Sequence, residues 1–68
     1  MDTTEEFSRL IEFAIGEEQK AQELYRSMAS KAGDTYAQAI LEGLYEQEVV
    51  HEEKLRALLA SIKEATVG

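Results

Sequence analysis

Two matching series of positions, stepping alternately four and three residues along the chain, carry apolar side chains with only three exceptions. The first series is Phe7, Ile11, Ala14, Glu18, Ala21, Tyr25, Met28 and Ala32, and the second is Ala37, Leu41, Leu44, Glu48, His51, Leu55, Leu58 and Ile62. An apolar repeat averaging three and a half residues is the seam of a helix bundle, so the spacing predicts an all-α protein. Glu18, Glu48 and His51 are set into that seam. Burying such groups without partners costs several kcal/mol each on a rough scale, so they need an internal hydrogen-bond network or a metal ion. The pattern favours the metal.

Local signals divide the chain into two helices. Thr3 followed by Glu6 reads as a capping box, with acidic residues in the first turn where the helix dipole favours them. The first helix is expected over about 4–32. Gly33 has the position of a left-handed residue closing that helix, and Asp34 that of a cap on the next, which runs over about 35–65. So tight a connection makes the helices antiparallel. Thr66, Val67 and Gly68 form a short frayed tail in this reading. Equal distance from Gly33 sets Glu18 level with Glu48, each ~22 Å from the turn and near the middle of its helix, with His51 one turn beyond.

Size and charge narrow what such a hairpin does. The chain has 68 residues with no Pro and no Cys, which excludes disulfides and thiolate metal sites and leaves a single unit over 1–68. Chains this short seldom gain more than ~3–5 kcal/mol from their own core, so self-association is expected. The formal charge of −7 argues against binding a phosphate backbone and makes cations the expected ligands. Met1 to Glu6 is acidic and no apolar run approaches the ~18 residues of a membrane span, so the expected location is the cytoplasm.

Glu48 and His51 are three residues apart, which puts both on one helix face. Alone the pair is a weak signal; with Glu18 on the facing helix at matching height it becomes a candidate metal site. A two-fold axis perpendicular to the helices inverts height about their midpoint, so residues near mid-length converge with their own copies. A homodimer would bring together two Glu18, two Glu48 and two His51 in a four-helix bundle. Those four carboxylates balance the charge of two Fe(II) ions, and the mixed carboxylate and imidazole set suits Fe or Mn while accepting Zn.

The stretch Glu18-Gln19-Lys20-Ala21-Gln22-Glu23-Leu24-Tyr25, followed by Glu48 to His51, resembles the helix signatures of the rubrerythrin and ferritin-like superfamily. The resemblance covers most of the chain. It implies a ferritin-like four-helix bundle with a di-iron carboxylate site, two irons per dimer, Glu18, Glu48 and His51 as ligands, and Tyr25 hydrogen-bonded to a site carboxylate. Having one hairpin where typical members have two, the chain is similar to half-size, dimer-built members such as encapsulated ferritins, and a larger even-numbered assembly is compatible with the same seam. Oxidation of Fe(II) by dioxygen, in iron storage or detoxification, is the activity implied. Peroxide reduction would need an external electron donor, since the chain lacks the four-Cys centre of many rubrerythrins. The tail at Thr66-Val67-Gly68 resembles the start of an encapsulin-targeting peptide, which makes an encapsulin shell a candidate partner.

Bland readings compete with these. Glu52, one turn after Glu48, is expected on an access path for iron, whereas Glu17, Glu23 and Glu53 read as solvated helix face. Tyr36 and Tyr45 read as structural. Gly16 and Gly43, each costing about 1 kcal/mol inside a helix, suggest close helix approach or local bending. The rival from another class is a non-catalytic dimerisation hairpin, or half of a longer two-hairpin protein.

Overall fold

The computed structural model describes residues 3–67 and contains two α-helices, α1 over Thr3–Lys31 and α2 over Thr35–Val67. They fold back on each other as an antiparallel hairpin measuring 52 × 18 × 11 Å. Among the described residues there is no strand, and no helix is long and apolar enough to cross a membrane. α1 begins at Thr3, so the expected cap is already the first helical residue. At the other end α2 continues through Val67, past the expected limit near residue 65, with neither Gly nor Pro in Ala65-Thr66-Val67 to stop it. Gly68, the last residue of the peptide-like tail, lies outside the described residues.

The turn differs from expectation in one respect. Asp34 does cap α2: its Oδ1 accepts the Ala37 amide at 2.8 Å, and its carbonyl accepts the Gln38 amide at 3.1 Å. Gly33, however, does not adopt a left-handed conformation; no described glycine has positive φ. α1 instead closes with a tighter bond from the Ala32 amide to the Ala29 carbonyl at 3.3 Å, and the Gln38 side chain reaches back to the Ala32 carbonyl at 3.5 Å. These bonds satisfy the helix end without needing a residue at positive φ.

The contact between the helices is narrower than the apolar series. Among the described residues only Ile11 and Ile15 are buried, flanked along α1 by the half-buried Glu18, Gln22, Tyr25 and Ala29. Opposite them on α2 lie the half-buried Leu41, Tyr45, Glu48, Glu52, Leu55, Leu59 and Ile62. Phe7, Met28, His51 and Leu58, all in the expected seam, are exposed. The physical reason is geometric. Two cylinders touch along one line, whereas the apolar residues cover a wider arc than a single neighbouring helix conceals.

The remainder of that arc forms an uncovered flank. On α1 it carries Phe7, Leu10, Ala14, Ala21, Leu24 and Met28; on α2 it carries Ile40, Leu44, His51 and Leu58. Leu10 is 66% exposed and Leu24 56%. The other flank is polar, with Gln19, Arg26, Tyr45 and Arg56. The accessible surface of the hairpin is 5104 Å². A compact monomer of 7.6 kDa exposes about 4,300 Å², so the excess is about 800 Å².

Gly16, Gly33 and Gly43 all have open space where a Cβ would stand, with no atom within 4 Å. Close approach of α1 to α2 therefore does not account for either helical glycine.

Candidate metal centre

Side chains on α-helices lean toward the N-terminus of their own helix, so those of α1 tilt away from the turn and those of α2 toward it. Each residue of α1 consequently meets a partner further along α2 than equal distance from Gly33 implies. Arg26 meets Tyr45 instead of Ile40, and Gln19 meets Glu52 instead of Gln47. The same lean carries Glu18 to His51 as well as to Glu48.

The result is a compact group near the middle of the hairpin. His51 Nδ1 lies 3.3 Å from Glu18 Oε2 and 3.4 Å from Glu48 Oε1. One ligand atom from each of the three lies within 4.8 Å of the others. The Glu18 and Glu48 side chains are 23% and 18% exposed, whereas that of His51 is 51% exposed and belongs to the uncovered flank. Its other ring nitrogen has no partner among the described residues.

The group is electrostatically unfinished. Glu48 is held above the ordinary carboxylate range, first by its hydrogen bond with the Glu18 carboxyl, then by burial and by the charge of Glu18; His51 pulls it the other way. Glu18 Oε2 is buried and has no hydrogen-bond partner. A buried carboxylate oxygen that accepts no hydrogen bond, set beside a second carboxylate and 3.3 Å from an imidazole nitrogen, calls for a proton or a cation, and three converging oxygen and nitrogen donors fit a transition metal.

Other expected residues fare differently. Tyr25 is half-buried, but its hydroxyl makes no hydrogen bond to a site carboxylate within the single hairpin. Glu52 is turned to the polar flank and is well satisfied: Gln22 Nε2 donates to its Oε1 at 2.7 Å, while Oε2 accepts from Gln19 Nε2 at 3.1 Å and from Arg56 Nε at 2.8 Å. Those bonds, Gln22 and Arg56 foremost, hold its carboxyl below the ordinary range. Sequence reasoning missed Gln22 and Arg56. Their signal was spacing, since Gln22 is one turn from Glu18 and Arg56 one turn from Glu52. Tyr45 packs under Arg26, whose Nη2 donates to its hydroxyl at 2.6 Å and whose guanidinium carbon stands 4.8 Å from its ring centre.

The fold and the cluster together define a helical hairpin bearing a carboxylate–histidine group at mid-length. A sequence model of the rubrerythrin family matches residues 1–65, and the chain belongs to that family. Comparison with curated proteins and with solved structures found no match.

Proposed function

We propose that two hairpins pair through their uncovered flanks into a four-helix bundle, and that the paired chains bind and oxidise Fe(II) with dioxygen at a centre built from both copies of Glu18, Glu48 and His51. The observation that carries this reading is the buried Glu18 Oε2, which accepts no hydrogen bond and stands 3.3 Å from His51 Nδ1 in a group of three ligand residues. Family membership supports the di-iron chemistry. The excess surface of about 800 Å² equals one partner's share of a standard interface, which supports a second copy as the occupant of the apolar flank.

The chain's own contributions follow from its chemistry. A net charge of −7 concentrates cations around the hairpin. Four carboxylates from two chains offset the charge of two Fe(II) ions and leave both imidazoles as neutral donors. Partial burial of Glu18 and Glu48 makes their unneutralised state costly, which favours occupancy by a cation over solvent. Iron held by these residues would supply the electrons for dioxygen reduction, one from each Fe(II), which becomes Fe(III) as dioxygen goes to the peroxide level. Mn(II) and Zn(II) satisfy the same donors, so availability sets the occupant.

Native mass spectrometry after anaerobic Fe(II) loading and brief exposure to air tests the proposal. Two irons per pair of chains, lost in His51→Ala, are expected. Paired chains carrying no metal would reduce the cluster to a buried polar network and make the protein a dimerisation hairpin.

A further inference from the structure

Glu52 stands one helical turn from Glu48 and next to His51 in sequence, yet its oxygens lie outside the group of three residues that could hold an ion. It is held elsewhere. Its Oε1 accepts from Gln22 at 2.7 Å, and its Oε2 accepts from Gln19 at 3.1 Å and from both Nε and Nη2 of Arg56 at 2.8 Å. Both oxygens are therefore occupied by donors drawn from both helices. Gln22 Nε2 also approaches the Glu48 backbone carbonyl at 3.5 Å, tying this network to the segment that carries the proposed ligands. The contrast with Glu18 is direct: Glu18 has a buried oxygen that accepts no hydrogen bond, whereas both oxygens of Glu52 accept them.

From this arrangement we infer that Arg56, with Gln19 and Gln22, is a clasp that keeps Glu52 out of the metal's ligand set and so fixes the donors at two carboxylates and one imidazole per chain. The inference rests on the metal reading proposed above. It gives Glu52 a part opposite to that of an access path, since an arriving cation must compete with Arg56 for the same oxygen. The clasp is a specificity device. An added carboxylate makes the donor set harder and richer in oxygen, the kind that Ca²⁺ and Mg²⁺ prefer, whereas the imidazole-containing set favours first-row transition metals. Arg56 acts through Glu52 and touches no ion itself, so it is a positioning residue.

Co(II) is the probe, read by its visible absorption bands in the full chain with and without competing Ca²⁺. Arg56 is largely exposed, so Arg56→Met is expected to keep the helical circular dichroism of the parent. Its Co(II) bands are expected to weaken as a further oxygen joins the ion. Ca²⁺ should displace Co(II) at concentrations about tenfold lower, the lower end of what neighbours of metal ligands contribute. Glu52→Gln alone should retain parental bands, and adding it to Arg56→Met should restore both the bands and the resistance to Ca²⁺. Parental behaviour in Arg56→Met, a double variant that keeps the altered bands, or loss of Co(II) in a folded Glu52→Gln would each overturn the clasp while leaving the metal site standing. A parental chain that gives no Co(II) bands would end the metal reading and this inference together.

Discussion

Glu48 and Glu52 lie four residues apart on one helix and are shifted in opposite directions, Glu48 upward by the neighbouring Glu18 carboxyl and Glu52 downward by Gln22 and Arg56. Their linkage to stability is opposite in sign. A raised carboxyl binds its proton more tightly in the folded chain, so what Glu48 contributes is present below the ordinary value of 4.5 and is lost as pH rises through its raised value. What Glu52 contributes is present above the ordinary value and is lost as pH falls through its lowered one. Ionisation of Glu48 in the metal-free fold is thus opposed by its surroundings. Replacing Glu48 with Gln should raise the melting temperature of the metal-free protein and abolish the rise produced by Fe(II) or Mn(II), which at a hundred times Kd amounts to about 2.7 kcal/mol. A purely structural network would give the reverse, a lower melting temperature with no metal response to lose. Glu18, Glu48 and His51 were legible in the sequence because each interrupts an otherwise apolar series. The satisfaction of Glu52 was not, because Gln22 looks like any polar helix residue until the lean of the side chains decides which ones meet across the hairpin.

Both helices owe their limits to local chemistry that can be changed one group at a time. Asp34 caps α2 through a 2.8 Å bond to the Ala37 amide, and its replacement by Ala should cost about 1 kcal/mol. For a domain of this size each kcal/mol corresponds to roughly 4–8 °C in melting temperature, well within calorimetric resolution. Gly33 should respond the other way. With no positive φ and open space around the missing Cβ, Gly33→Ala is expected to stabilise by about 0.4–1 kcal/mol by restricting the unfolded chain. A loss of stability instead would mean that the turn does use glycine's freedom. The helices and their cap could be read from periodicity and from Asp34. The conformation of Gly33 could not, since glycine after a helix is equally compatible with a tight 3₁₀-like closure and with a left-handed one.

The uncovered apolar flank sets the behaviour of the molecule as a body. Among the described residues Ile11 and Ile15 are the buried ones, a small core for a hairpin to stand on, so in the proposed dimer folding and pairing should be coupled. The melting temperature should accordingly rise with protein concentration. Leu24→Glu, on the flank, should shift sedimentation toward the monomer and lower helicity, whereas Arg26→Glu, on the polar flank two residues away, should leave the assembly intact. Equal disruption by both would place the contact elsewhere. The sequence carried the whole apolar arc but not which part of it the neighbouring helix covers, because a repeat of three and four describes position around the axis and says nothing about which neighbour arrives. That one hairpin contributes a single Glu18, Glu48 and His51 has a final consequence for the pairing proposed here. Between two identical copies every substitution in the centre would be made twice at once, so the two ions such a pair would hold would remain chemical equivalents.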